Sequence, residues 1–118
     1  MSARRLFHIA PRADVDAART HGRYLPAGFE REGFIHCSYG SQVAGTAERI
    51  FRGRDGLVLL EIDPARLTCA VVDENLEGGR EVYPHIYGPL PLAAVTAVHP
   101  MPVGADGSFS LPAVVTSA

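Results

Sequence analysis

At 118 residues, with 47% hydrophobic and 20% charged side chains, the chain is long enough for one core and has an ordinary globular composition. With a formal net charge of −2, nothing in bulk electrostatics favours a nucleic-acid polymer or an anionic membrane, and no apolar run approaches the ~20 residues that span a bilayer. All 11 basic residues are arginine, so neither a Schiff-base lysine nor a phosphate-loop lysine can operate here.

In chain order, residues 5–10 read as a short strand ended by Pro11. Residues 14–20 read as a helix capped near Asp14 and stopped by Gly22. A connection containing Pro26 and Gly28 follows, then a second short apolar strand over 33–38. Ser41 opens the clearest helix: Val43, Ala47, Ile50 and Phe51 form one apolar stripe, and Gly53 ends it. Residues 57–62 make the strongest strand, an apolar run suited to a central position. After Asp63-Pro64 a further strand is expected over 67–72, then an acidic loop over 73–80 that includes Glu74 and Glu77. Residues 81–87 read as extended, 88–91 as a turn and 95–98 as a last strand. One domain is expected over 1–102, and residues 103–118, rich in Gly, Ser, Pro and Ala, read as a poorly ordered tail. Early helices and later strands make this an α+β domain rather than a βαβ array.

Cys37 and Cys69 show neither CxxC nor metal-ligand spacing, and no signal peptide precedes them. Free thiols in a reduced, cytoplasmic setting are therefore expected. Cys37 adjoins His36, but neighbours in a strand point to opposite faces, so Cys37 reads as a packing residue rather than half of a cysteine–histidine pair.

The informative residues are His8, His36 and His85, each inside an apolar segment: Phe7-His8-Ile9, Phe34-Ile35-His36-Cys37-Ser38 and Pro84-His85-Ile86-Tyr87. An imidazole is costly to bury unless its nitrogens find partners, and it titrates near neutral pH. Three such placements point to one shared site with these histidines as its catalytic groups. The alternative for each is a core histidine satisfied by backbone carbonyls. Around them, Ser38 could bind a ligand or cap a turn, and Tyr24 and Tyr87 could stack on a ring or pack the cleft wall. Glu74 could bring a carboxylate to the cleft. Arg31 and Glu32 read as a solvated turn, Glu77 as a solvated loop residue, and His21 and His99 as surface or helix-end residues. None of the histidine spacings is a recognised metal motif.

From Leu6 to Pro102 the chain resembles the bacterial DUF952 family. The resemblance rests on Phe7-His8-Ile9, Gly33-Phe34-Ile35-His36-Cys37-Ser38, Leu59-Leu60-Glu61-Ile62-Asp63 and Pro84-His85-Ile86-Tyr87-Gly88-Pro89-Leu90. It implies a minimal member of the ADP-ribosyltransferase-like group: a small α+β domain with a split, mainly antiparallel sheet and two helices, binding NAD in a cleft. In that group a first strand carries His or Arg against the nicotinamide ribose or amide, a second places Ser or Tyr beside the nicotinamide, and a later strand begins with the catalytic glutamate. His8 matches the first position, residues 34–38 the second and Pro84-His85-Ile86-Tyr87 the third, where His85 stands in place of the glutamate. RNA 2′-phosphotransferases of the same group also lack that glutamate. The resemblance thus implies a small-molecule or nucleotide ligand, NAD among them, and glycosyl or phosphoryl transfer without protein ADP-ribosylation. Two other readings stand beside it: a non-catalytic small-ligand-binding module on the same fold, and a two-histidine cyclic phosphodiesterase. The last is suggested by His36-Cys37-Ser38 but lacks a second H-x-[ST] element.

Overall fold

Strand β5 (Leu57–Ile62) runs through the centre of the molecule, and its sequence explains why. In the structure, a computed structural model describing residues 4–76 and 78–117, β5 lies between β1 (Leu6–Pro11) and β9 (Val95–Pro100). With β4 (Ser38–Tyr39) these make a four-stranded antiparallel sheet of order β4-β1-β5-β9. Alternation sends Val58, Leu60 and Ile62 into one core with Leu6 and Ala10, and Leu57 and Leu59 into a second with Phe7 and Ile9. A strand covered on both faces needs an unbroken apolar run, and Leu-Val-Leu-Leu supplies it.

The first core is completed by Val15 and Ala18 of helix α1 (Arg12–Ala18). This helix starts directly after Pro11 rather than at Asp14, because the proline's extended backbone, at φ −62° and ψ 133°, already fits the position before a helix. Gly22, at φ 74°, stops it as expected, donating its N–H to the Ala18 carbonyl at 3.0 Å. The second core lies under α3 (Gly40–Thr46), with Val43, Ala47 and Met101. The chain then widens into a π-helical turn, Ala47–Phe51. A π-turn advances less per residue than an α-turn, so Ile50 leaves the expected buried stripe and is 53% exposed.

The second predicted strand is broken in two. β3 (Ile35–His36) joins β7 (Tyr83–Ile86) and β6 (Val71–Glu74) in an antiparallel sheet of order β3-β7-β6, whereas β4 joins β1. Cys37 is the residue between the two sheets. A short antiparallel pair of β2 (Arg23–Tyr24) with β8 (Leu90–Pro91) lies in the segments read as a connection and a turn. The same connection holds α2 (Phe29–Glu32), closed by Gly33 at φ 82°. The result is a small α+β domain with mainly antiparallel sheets. β6 begins later than the predicted strand over 67–72 and includes Glu74, which is therefore a strand residue. Glu77 lies outside the described residues.

Beyond Pro102, where the sequence predicts a poorly ordered tail, Val103 bridges to Phe109 and helix α4 (Ala113–Ser117) places Val115 in the second core. Phe109, Leu111 and Val114 pack beside it, and this apolar content outweighs the Gly/Ser/Pro composition of the segment.

One glycine is required by close approach. A Cβ on Gly88 would sit 2.8 Å from both Cβ and Sγ of Cys69. Gly88→Ala should destabilise the fold by about 1–3 kcal/mol, read as a lower urea midpoint. Cys69→Ala in the same chain should restore only part of the loss, since the Cβ contact remains.

Candidate functional site

The register of β3 and β7 builds the site. The N–H of Cys37 donates to the Pro84 carbonyl at 3.0 Å, so the facing residues His36 and His85 form a non-hydrogen-bonded pair, the kind whose side chains approach most closely. Their ring centroids are 5.1 Å apart. On the opposite face of this sheet, Ile35 and Ile86 enter the first core. Glu74 pairs with Tyr83 across β6 and β7, two residues from His85 and therefore on the histidine face.

His85 is held on three sides. Its ring stacks on Phe34 at 4.2 Å and 18°, and its side chain is 4% exposed. Its Nδ1 lies 2.9 Å from Glu74 Oε1, and the Tyr87 hydroxyl donates to the same oxygen at 2.5 Å. The bonds from Tyr87 and His85, in that order, hold the Glu74 carboxyl below its ordinary pKa, and Glu74 in turn raises that of Tyr87. An ionised Glu74 accepts from Nδ1–H, which leaves Nε2 as the working nitrogen of His85. Nε2 has no hydrogen-bond partner among the described residues and is not sealed from solvent. His36 is oriented in a parallel way, with Nε2 2.8 Å from Glu32 Oε2, but its side chain is 47% exposed. A lone exposed pair of this kind contributes little to stability.

His8 plays a different part. The strand that changes sheets at Cys37 turns the His36 carbonyl away from β7, and His8 Nδ1–H donates to it at 2.6 Å. The other ring nitrogen, Nε2, accepts from the Tyr24 hydroxyl at 3.3 Å. Burial pushes the pKa of His8 down to about 4, an effect the His36 carbonyl opposes and the nearby His36 ring assists. At neutral pH His8 is therefore uncharged, with both nitrogens engaged, and it braces the strand that carries His36. Tyr24 is buried and packs the wall rather than offering an open stacking face; burial, with Asp14 adding a smaller effect, raises its phenol pKa.

Two adjoining hollows open over these residues. One, of ≈ 300 Å³, is lined by His85, His36, Glu74 and Arg80; the other, of ≈ 530 Å³, by His8, Tyr24, Ser38 and Ile50. His36, Arg49 and Tyr83 line both and so stand at their junction. Arg49 comes from the π-turn, with its guanidinium carbon 5.7 Å from the Tyr83 ring centroid. The polar junction beside a more apolar lobe suits a ligand with one anionic and one planar part.

The structure thus brings His36, His85 and Glu74 together and sets His8, Tyr24 and Ser38 along the wall of the larger hollow. Ser38 is buried, with its hydroxyl 3.2 Å from that of Thr46. Tyr87 lies behind Glu74 as a donor. Cys37 points into the first core, where burial raises its thiol pKa. Cys37→Ser should therefore lower the unfolding midpoint by removing apolar contact, and leave ligand affinity unchanged in a direct titration. Four contributors are absent from the predicted site: Phe34, Tyr83, Arg49 and Glu32, the last read as a solvated turn residue yet bonded to His36. Alternation with His36 and His85 would have found the first two, whereas nothing in the sequence marks the π-turn that presents Arg49.

A histidine-bearing strand shared between two antiparallel sheets, opening on a two-lobed cleft, defines the class of small α+β domain to which this protein belongs. The chain is a member of the DUF952 family, a family described as protein of unknown function, whose pattern covers residues 9–98. It is similar to protein CC0527 of Caulobacter crescentus. The crystal structure of that protein shares 35% identity, covers 95% of this chain and 98% of its own, and superposes with a TM-score of 0.84. The solution NMR structure of CC0527 gives 37% identity, coverage of 88% and 90%, and a TM-score of 0.76. No curated protein matches the sequence. No helix among the described residues is long and apolar enough to cross a membrane.

Proposed function

We propose that the cleft binds NAD or another nucleotide and supports glycosyl or phosphoryl transfer, with the Glu74–His85 pair as its reactive group. The observation that carries this reading is the arrangement of two histidines 5.1 Å apart, each hydrogen-bonded to its own carboxylate, beside an arginine. Glu74 fixes the tautomer of His85 so that Nε2 can accept a proton from a ribose hydroxyl or a water. Arg49 supplies a charge-assisted contact to a phosphate, and His36 can give or take the second proton. The division of the sheet at Cys37 supports kinship with the ADP-ribosyltransferase-like group, in which a split sheet embraces the nucleotide. In that kinship Glu74, on the strand beside β7, is the carboxylate nearest to His85.

The test is a thermal-shift and NMR titration with NAD, mononucleotides and a 2′-phosphorylated ribonucleotide. A ligand at about 100 times its dissociation constant should stabilise the protein by ~2–3 kcal/mol and shift resonances of His36 and His85. A panel in which no nucleotide stabilises the fold would overturn the reading.

A further inference from the structure

Two donors from different parts of the chain converge on one oxygen of Glu74. Nδ1 of His85 lies 2.9 Å from Oε1, and the Tyr87 hydroxyl donates to the same atom at 2.5 Å. The second bond matters because Glu74 is not held by its surroundings. Its strand, β6, lies at the edge of its sheet, and its side chain is 23% exposed. Ordering a glutamate side chain costs about as much free energy as one hydrogen bond from a neutral donor returns. With His85 alone the carboxylate would be free to turn toward water; with two donors on one oxygen it stays in place.

Tyr87 is itself fixed without help from Glu74. Its N–H donates to the Ala70 carbonyl at 2.9 Å, which continues the pairing of β7 with β6. The next residue, Gly88, passes close against Cys69. The Tyr87 ring leans on Phe34, with 5.4 Å between centroids, and His85 is stacked on that same ring. The other histidine supplies a comparison within the molecule. Nε2 of His36 also meets a carboxylate, but no second donor among the described residues bonds Glu32, and that pair stands well exposed.

We infer that Tyr87 is the positioning residue of the site: its hydroxyl holds the Glu74 carboxylate on Nδ1 of His85 and so keeps the neutral ring in the tautomer whose Nε2 is open. This inference rests on the Glu74–His85 pair as the reactive group and names the residue that sets its state.

Proton–nitrogen correlation NMR of the histidine rings, in ligand-free protein under mildly alkaline conditions, tests it. In the unaltered chain His85 should show one tautomer, with its proton on Nδ1. Tyr87→Phe keeps the ring on Phe34 and removes only the hydroxyl, and circular dichroism checks its fold. It should convert His85 to a mixture of both tautomers and leave the tautomer balance of His36 unchanged. Affinity for NAD should fall by roughly three- to tenfold, less than in His85→Ala. A His85 that keeps its single Nδ1–H tautomer in Tyr87→Phe overturns the positioning role, even if the urea midpoint drops, because that drop alone reports a structural contact. A mixture that appears in Tyr87→Leu and not in Tyr87→Phe overturns it as well, by assigning the effect to the ring. If the unaltered protein binds no NAD, the nucleotide reading fails for that ligand, while the tautomer, read without ligand, still decides the role of Tyr87.

Discussion

His85→Ala is expected to lower nucleotide affinity by roughly 10–100-fold, the loss of one or two charge-assisted or otherwise strong hydrogen bonds. It should also destabilise the fold by about 1–3 kcal/mol through the loss of its buried ring. The ring that disappears is stacked on Phe34 and almost fully covered, so a small cavity opens beneath the cleft. Calorimetric titration and urea denaturation on the same sample separate the two effects. Glu74→Gln provides the contrast: it keeps the shape and removes the charge that selects the His85 tautomer, so binding should fall by less than in His85→Ala.

His85, which stands where the resembled group carries a glutamate, bears on the chemistry. Cleavage of the NAD glycosidic bond develops positive charge on the ribose, which a carboxylate stabilises directly. An imidazole at that point offers a hydrogen bond or a base, a better match for phosphate or ribose oxygens. The purified protein should therefore release no appreciable nicotinamide from NAD and transfer no ADP-ribose to protein, so that of the two proposed reactions phosphoryl transfer is the one expected. Rapid nicotinamide release that disappears in His85→Ala would reverse this assignment.

Acid is expected to destabilise the protein well above the range in which carboxylates titrate, and His8 is the cause. Its pKa is lowered in the folded state from 6.5 to about 4, chiefly by burial. Between those values the unfolded chain binds the proton and the folded chain does not, so stability falls as the pH drops through that window. The contribution is fully present above pH 6.5. Its loss is complete near pH 4, where it amounts to ~3 kcal/mol. Asp63, Glu74 and Asp106, whose pKa values are lowered by hydrogen bonding, lose their contributions only below the ordinary carboxylate range. The interval from pH 6.5 to 4.5 thus isolates the histidine. Urea midpoints measured across it should decline for the native chain and flatten in His8→Gln, whose amide can still donate to the His36 carbonyl. An equal decline in both would show that the acid response comes from elsewhere.

Local pattern was sufficient for the elements whose environment is the same along their whole length. β5 is legible because both its faces are covered, and an unbroken apolar run has no other stable placement in a domain this small. β1 and the glycine stops at Gly22 and Gly53 follow similarly from alternation and from the left-handed backbone that glycine tolerates. His8, His36 and His85 stand out because histidine in an apolar segment demands partners, wherever those partners are. What each histidine does was not legible, since the demand can be met by a carbonyl, a phenol or a carboxylate brought from far along the chain. His8 found the His36 carbonyl and Tyr24, and became a brace; His85 found Glu74, and kept one nitrogen for the cleft. The break at Cys37, the π-turn that presents Arg49 and the packing of Val115 likewise depend on contacts between distant segments, and no periodicity within a short window encodes them. The fold class was therefore written in hydrophobic spacing, while the site came into being only when two sheets met along one strand.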